Sequence, residues 1–387
     1  MVRFAATIYF SIILSICTAI AEGQIPRLKD GLIDTTQHET LGLKKSEDIR
    51  TVLIFKAKEG TDHYANGVVM TSFKGTLYCM WQSSPKDEDS DDTWVAYSRS
   101  KDNGETWSEP EPLAKATADF YCTSGGWLVC GDTLTAFIDT WEKGLEPRGG
   151  KTQYIVSTDG ETWSCMQPVR MADGSDMEGV LEQDPYPLPD GRIVGAVHFQ
   201  PGLHVCPVFT DAPSGRSGWH RAVFEGEDRG NQSRELEPSQ YLQPDGTMVM
   251  LFRDQANTFR KLASVSTDRG ESWSKPVETN IPDARTKQSA GNLPDGTAYM
   301  VGCPSNGKWR WPLVLMLSRD GKEFDKAILL RSGLPDDLPE RQYEGRYKTI
   351  GYNYPKSIVN KGCLYVAYAT NKEDVECSII NIKTKQQ

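Results

Sequence analysis

The sequence is poor in the residues and patterns of metal sites and of multidomain chains. It has 5 His, and its 9 Cys form neither a CxxC pair nor a Cys/His spacing typical of zinc ligands. No Pro/Ser-rich linker or low-complexity tract divides it. Its net charge of −10 opposes binding to a phosphate backbone or an anionic membrane surface. We therefore expect one domain with no cofactor and no nucleic-acid partner.

Long apolar runs are also missing, except at the start of the chain. Met1-Val-Arg3 precedes an apolar run over residues 4–21 that ends in Ala19-Ile-Ala21. This layout is typical of a cleaved secretory signal peptide, and a membrane anchor is the alternative. We expect a signal peptide at 1–21, an N-terminal arm at 22–50 and one domain at 51–387. The protein would then be secreted or periplasmic, with no integral membrane span.

Export would permit disulfides among the eight cysteines that remain after cleavage. Cys122 and Cys130 flank one predicted strand. Free thiols buried on strands are the alternative.

A short box recurs along the chain and defines its repeat. Its full copies are Ser266-Thr-Asp-Arg-Gly-Glu-Ser-Trp273 and Ser100-Lys-Asp-Asn-Gly-Glu-Thr-Trp107, with variants at 157–163 and 318–324 and a degenerate copy at 211–219. The Asp of each box is spaced from the next by 57, 52, 57 and 52 residues. Asp can accept backbone hydrogen bonds, Gly supplies a positive φ, and the aromatic residue covers the turn. The boxes therefore predict structural hairpin turns.

A second repeat consists of a turn glycine followed by an apolar strand. The glycines are Gly75, Gly131, Gly191, Gly246, Gly296 and Gly362, at intervals of 56, 60, 55, 50 and 66 residues. Each reads as a hairpin leading into a buried strand. The pattern predicts an all-β fold, a six-bladed β-propeller of four-stranded blades, with Thr51–Phe55 completing the last blade. A seven-bladed ring is the alternative if Asp325–Tyr347 contains a short blade.

Polar residues recur eight to nine positions before these glycines, in the strands predicted to lie nearest the propeller axis. They are Asn66, Cys122 with Thr123, Glu182, Glu237, Lys287 with Gln288, and Asn353 with Tyr354. Polar residues at one equivalent position of buried strands predict a ligand-binding mouth. A water-filled channel lined by satisfied polar groups is the alternative.

Glu237 and Tyr354 are the main catalytic candidates. A neutral phenol activated by a carboxylate suits attack on a sugar carbon that itself carries a carboxylate, because an anionic nucleophile would be repelled there. Such a substrate also needs cations, and Arg253 and Arg310 could supply bidentate contacts.

Two other regions could supply an acid or a base. His63 opens the first blade and could act there as a general acid or base. The acidic loop Lys86–Asp92 could lend a protonated carboxyl from one residue of Asp89–Asp92, with Asp92 as our candidate. A solvated turn or a loose Ca²⁺ site is the alternative for this loop.

On these boxes and residues the chain resembles the sialidase superfamily over nearly the whole of its mature length. The resemblance implies that Glu237 is the Glu that is followed by the strand of the second arginine, Arg253, and that Arg310, before Leu313–Ser318, is the third arginine. It implies a nucleophilic Tyr in Gly351-Tyr-Asn-Tyr-Pro355, with Tyr354 the better match and Tyr352 the alternative. Asn66, Glu182 and Gln288 become candidate substrate contacts.

The chain departs from sialidases where these open their first blade with an Arg-Ile-Pro motif, because it has His63-Tyr-Ala-Asn66 there. Each charge-assisted contact to a carboxylate is worth about 1.5–3 kcal/mol, so losing one of three arginines weakens sialic-acid binding. Some glycosidases and polysaccharide lyases with this architecture act at uronic-acid linkages, such as rhamnose on glucuronate, and use a His and sometimes a Tyr.

Three functions therefore remain open. The first is a secreted exo-acting glycoside hydrolase that removes a terminal sugar from an acidic glycan. The second is a glycosidase or polysaccharide lyase that uses His63, and the third is a glycan-binding propeller without turnover.

Overall fold

A computed structural model describes residues 23–181, 184–201, 203–225, 237–253 and 256–382. The predicted signal peptide lies outside these ranges. In the part of the chain that is described, no helix is long and apolar enough to cross a membrane.

Antiparallel sheets form six blades around an axis, as predicted from the spaced turn glycines. Blade 1 comprises Tyr64–Phe73, Thr76–Ser84, Trp94–Ser100 and Glu111–Ala114, and blade 2 comprises Phe120–Cys130, Thr133–Glu142, Gly150–Ser157 and Gln167–Pro168. Blade 3 comprises Gly179–Leu181 and Tyr186–Pro187, which both pair with Ile193–Phe199, then His204–Thr210 and His220–Arg221.

The remaining blades complete the ring. Blade 4 comprises Pro238–Leu242, Met248–Phe252, Arg260–Ser266 and Val277–Pro282, and blade 5 comprises Ser289–Asn292, Ala298–Gly302, Leu313–Ser318 and Lys326–Arg331. Blade 6 comprises Tyr352–Asn360, Cys363–Thr370, Asp374–Asn381 and Ile49–Phe55. Two short parallel pairs join Arg27–Leu28 to Glu323–Phe324 and Val223–Phe224 to Ser272–Trp273.

The N-terminal strand of the propeller closes the ring, as predicted. Ile49–Phe55 pairs antiparallel with Asp374–Asn381, so blade 6 combines both ends of the domain. The strand begins two residues before the expected boundary at residue 51. Region 325–347 contains the last strand of blade 5, Lys326–Arg331, and then irregular chain, so the seven-bladed alternative is wrong.

Hydrophobic side chains fill the spaces between neighbouring blades. Six clusters of buried residues alternate with the six sheets, and each cluster draws its members from two adjacent blades. The arm contributes to one of them, because Leu28 and Leu41 pack between blades 4 and 5. The ring therefore has no single core, and each interface stabilises two blades.

The boxes form hairpin turns, as predicted, and these turns join the third and fourth strands of their blades. Asp159 accepts hydrogen bonds from the backbone N–H groups of Glu161 and Thr162, at 2.8 and 2.7 Å. Asp102 accepts from the side chain and backbone of Thr106, which lowers the pKa of Asp102 to about 2. In the degenerate copy, Asp211 instead pairs with Arg192.

The eight cysteines among the described residues are all free thiols. Cys122 and Cys130 lie at the two ends of one strand, Phe120–Cys130, so they do not meet. Of the two alternatives, free thiols are confirmed for these residues.

Candidate active site

A cavity of about 580 Å³ lies at the propeller axis. Two kinds of segment form it. One consists of the first residues of the innermost strands and the chain just before them. The other is the set of loops that join the second and third strands of each blade, called the 2–3 loops below. Successive strands are antiparallel, so all 2–3 loops lie on one face and the turn glycines and boxes lie on the other. The box face therefore takes no part in this cavity.

Tyr354, Glu237 and Arg253 meet at the cavity wall. Arg253 Nη1 donates to Glu237 Oε2 at 2.5 Å and to the Tyr354 hydroxyl oxygen at 2.8 Å. Burial raises the pKa of the Tyr354 phenol above its usual range, although Arg253 and Arg310 act in the opposite direction. Tyr354 therefore rests as a neutral phenol, with its oxygen beside a guanidinium and a carboxylate.

Four cationic side chains surround the Tyr354 ring. Arg253, Lys287, Arg310 and Lys372 lie 5.9, 5.1, 5.3 and 5.7 Å from its centroid. Arg310 is 7% exposed and donates to Asn353 Oδ1 at 2.7 Å. Among the described residues, no carboxylate forms an ion pair with Arg310. A buried cation without a carboxylate partner beside an open cavity favours an anionic ligand.

Lys372 approaches this group from the 2–3 loop of blade 6. Its Nζ donates to Glu88 Oε2 at 2.5 Å and to the Tyr347 carbonyl at 3.1 Å. Burial lowers the pKa of Lys372, and Glu88 opposes that shift. Burial raises the pKa of Glu88, but Lys372 and Arg310 outweigh burial and hold it below its usual value. Glu88 is therefore a carboxylate near neutral pH, and it stabilises the ammonium form of Lys372.

Asp89 also lies in the cavity wall, in a bidentate pair with Arg148. Arg148 Nη1 and Nη2 donate to the two Asp89 oxygens at 2.6 and 2.7 Å. Burial raises the pKa of Asp89, Arg148 opposes this rise, and Glu88 adds to it. The guanidinium also stacks 4.1 Å above the Trp141 ring, which lines the cavity. Asp89 thus has the raised pKa expected of a carboxyl that donates a proton.

Several predicted residues lie in the cavity wall. Among the catalytic candidates these are Glu237 and Tyr354, and among the binding candidates Arg253 and Arg310, together with Thr123 and Lys287 from the axial set. Tyr352, the alternative nucleophile, is buried between blades 5 and 6 with its hydroxyl on the Ser332 carbonyl at 2.7 Å. The match to Tyr354 is therefore the one that reaches the cavity.

Other predicted residues lie elsewhere. The His63 ring stacks on Tyr343 with centroids 3.7 Å apart, and its Nε2 lies 3.2 Å from the Lys58 carbonyl, outside the cavity wall. Asp92 is exposed and bonds Ser90, so Asp89 replaces it as the acidic-loop candidate.

Two predicted substrate contacts are buried inside the protein and do not line the cavity. Asn66 is buried beside the cavity and donates to Glu88. Gln288 is fully buried and bonds the backbone of blade 4 through the carbonyls of Glu237 and Leu251. Glu182 lies outside the described residues.

Sequence reasoning missed Glu88, Arg148 and Lys372, and one signal could have identified them. All three lie in 2–3 loops, as do Asp89, Arg253 and Arg310. Once the first two strands of each blade are recognised in the sequence, every charged residue in the loop that follows the second strand becomes a candidate for the site. No cluster of three or more metal-ligating side chains occurs among the residues described.

Comparison with known proteins gives a family and a fold. Residues 75–366 match the model of the BNR repeat-like domain. No curated protein matches the chain. A Dyadobacter fermentans protein of unknown function superposes with a TM-score of 0.67 at 17% identity, over 86% of this chain and 99% of that one.

Two solved structures of named enzymes are also similar. The Ruminococcus gnavus intramolecular trans-sialidase, in complex with oseltamivir carboxylate, has a TM-score of 0.61 at 14% identity over 89% of this chain and 98% of that one. A mutant of Trypanosoma rangeli sialidase displaying trans-sialidase activity has a TM-score of 0.64 at 15% identity. The match covers 89% of this chain and 61% of that one.

At these identities the structural likeness establishes the fold, and the family model covers most of the chain. The chain therefore belongs to the BNR repeat-like family, and its six-bladed β-propeller is similar in fold to the solved sialidase structures.

Proposed function

We propose that this protein is an exo-acting glycoside hydrolase that removes a terminal sugar from a carboxylate-bearing glycan. The observation that carries the proposal is Arg310, a buried arginine that faces the cavity, lies 5.3 Å from the Tyr354 ring and has no carboxylate at ion-pair distance among the described residues. A sugar carboxylate would supply the missing anion and would place the anomeric carbon beside Tyr354.

Tyr354 is the proposed nucleophile. Its oxygen would attack the anomeric carbon while its proton passes to Glu237, forming a glycosyl-tyrosine that water then hydrolyses. Arg253 Nη1 donates to Glu237 Oε2 and to the Tyr354 hydroxyl oxygen. It would therefore stabilise the negative charge that develops on the phenol. A neutral nucleophile is needed because the substrate brings its own carboxylate to this site.

Asp89 is the proposed general acid. The bond between the anomeric carbon and the oxygen of the leaving sugar breaks, and that oxygen takes a proton from Asp89. Burial raises the pKa of Asp89, which favours the protonated form, and its pairing with Arg148 would have to loosen when substrate enters. The His63 alternative lacks comparable support, because its ring is stacked on Tyr343 away from the cavity.

The proposal also includes export. It rests on the apolar run at 4–21 with its Ala-x-Ala end, which lies outside the described residues. A secreted enzyme of this kind would act on extracellular acidic glycans. The similar enzymes from Ruminococcus gnavus and Trypanosoma rangeli are named as sialidases or trans-sialidases, which supports an acidic sugar as substrate.

The test is hydrolysis of two substrates by the purified protein, with products identified by mass spectrometry. 3′-Sialyllactose and a rhamnose-capped glucuronate oligosaccharide represent the two acidic classes. We expect one of them to release its terminal sugar, and Tyr354→Phe to lower kcat by at least about a thousandfold. Tyr352→Phe is the matched control, since its hydroxyl lies in a blade interface, and it should retain activity.

Each contrary result has a definite meaning. Full activity in Tyr354→Phe would exclude Tyr354 as nucleophile. Saturable glycan binding with no product would overturn the hydrolase proposal and support a glycan-binding propeller. Free rhamnose lost only in a His63 variant would assign the chemistry to the alternative site.

A further inference from the structure

We propose that Lys372 is the third cation of the carboxylate site and replaces the arginine that the first blade lacks. This inference rests on the proposed acidic substrate. It assigns the anion site to residues from three blades: Arg253 from blade 4, Arg310 from blade 5 and Lys372 from blade 6.

The position of Lys372 connects it to the first-blade stretch that departs from the sialidase pattern. The backbone N–H of Ala65, within His63-Tyr-Ala-Asn66, donates to the Lys372 carbonyl at 3.1 Å. The Lys372 side chain is 4% exposed and reaches Glu88, whose other oxygen accepts from Asn66 at 3.2 Å. Lys372 therefore enters the cavity beside His63-Tyr-Ala-Asn66, the stretch that differs from the sialidase motif.

The arrangement around Tyr354 fits a shared anion. Lys372 and Arg310 lie 5.7 and 5.3 Å from the same ring centroid, and Arg253 lies 5.9 Å from it. A carboxylate entering here would meet these three cations, and Lys287 Nζ lies 5.1 Å from the same centroid. A lysine supplies a point charge and not a planar fork, so it suits a carboxylate whose bidentate contacts come from the arginines.

The competing explanation is that Lys372 only neutralises buried Glu88. The two explanations predict opposite results for Glu88→Gln. If Lys372 binds the ligand, Glu88 competes for the ammonium and repels the carboxylate, so its neutralisation should tighten acid binding by about threefold to tenfold. If Lys372 serves only Glu88, the same change should leave binding unchanged or weaken it.

The experiment is calorimetric titration of the full mature protein with N-acetylneuraminate and D-glucuronate, with D-glucose as the neutral control. Lys372→Met should weaken binding of the preferred acid by about tenfold or more, and Lys372→Arg should retain most of it. Lys361→Met is the matched control, because Lys361 lies at the opposite end of blade 6 and bonds Asn103. Circular dichroism checks that each variant is folded.

The double variant Lys372→Met with Glu88→Gln separates ligand contact from structural support. We expect it to bind acid more tightly than Lys372→Met alone, because the repulsion by Glu88 is gone, but still clearly more weakly than wild type, because the contact with Lys372 is missing. Recovery of wild-type affinity in the double variant would overturn the inference.

Binding and turnover fail separately. Acid binding that Lys372→Met leaves unchanged removes Lys372 from the site but leaves the proposed hydrolase intact. Acid binding that depends on Lys372, without hydrolysis of either glycan, keeps the inference and overturns the hydrolase. A wild-type protein that binds neither acid overturns both.

Discussion

At the scale of single residues, the Asp89–Arg148 pair controls when Asp89 holds a proton. Arg148 Nη1 and Nη2 each donate to one Asp89 oxygen. Burial raises the pKa of Asp89, and this arginine opposes the rise by stabilising the carboxylate. A general acid must be protonated at the working pH, so loss of Arg148 should extend the range in which Asp89 can act.

The corresponding prediction concerns Arg148→Met. Without the guanidinium, the pKa of Asp89 rises further and the protonated form persists to higher pH. The descending alkaline limb of kcat/KM against pH should therefore move to higher pH. Arg170→Met, which breaks an exposed ion pair with Asp176, is the control and should leave the profile in place. An unmoved limb, or one moved to lower pH, would exclude Asp89 as the acid that this arginine tunes.

At the scale of secondary-structure elements, the fold was predictable because its turns repeat. Gly75 and Gly362 each follow the innermost strand of a blade, and both adopt a positive φ, of 82° and 80°. The boxes mark the other turn of the same face. Both signals are local, since each depends on a few consecutive residues, and they identified the six blades and the closing strand.

The site was less predictable because it comes from the opposite face, where the 2–3 loops do not repeat in length. Arg310 lies in a long loop, whereas Lys372 lies in a tight turn between two long strands. Asp89 and Asp92 occupy the same loop, and only the path of the chain decides that Asp89 points to the cavity. The position before the turn glycines identified Glu237 and Tyr354, and family resemblance supported them together with Arg253 and Arg310. Neither signal pointed to Lys372 in the 2–3 loop of blade 6.

A prediction at this scale separates the two faces. Asp268→Ala removes the acceptor for the Ser266 hydroxyl and the Ser272 N–H, at 2.8 and 3.0 Å. It should lower the free energy of unfolding by about 1 kcal/mol in a urea titration and leave kcat/KM unchanged. Asp132→Ala, on the same face but 91% exposed, should change neither quantity. A large loss of activity in Asp268→Ala without unfolding would mean that the boxes support the site directly.

At the scale of the whole molecule, the closing interface between blades 6 and 1 also joins two halves of the candidate site. Blade 6 carries Tyr354 and Lys372, and the 2–3 loop of blade 1 carries Glu88 and Asp89. The Lys372–Glu88 pair spans this junction, and the cluster of blades 6 and 1 packs beneath it. Stability of the closure should therefore determine whether the site exists as one unit.

Two adjacent residues of the closing strand provide the test. Ile54 is 6% exposed and packs into the cluster between blades 6 and 1, whereas its neighbour Leu53 is 50% exposed. Ile54→Ala should lower the free energy of unfolding by about 2–4 kcal/mol because it leaves a cavity at the closure. Leu53→Ala, on the same strand, should change it by less than about 0.5 kcal/mol. When Ile54→Ala is heated, acid binding and folded structure should be lost at the same temperature, because opening the ring separates Lys372 from Glu88. Equal destabilisation by both substitutions would mean that backbone pairing with Asp374–Asn381, and not packing between the blades, closes the propeller.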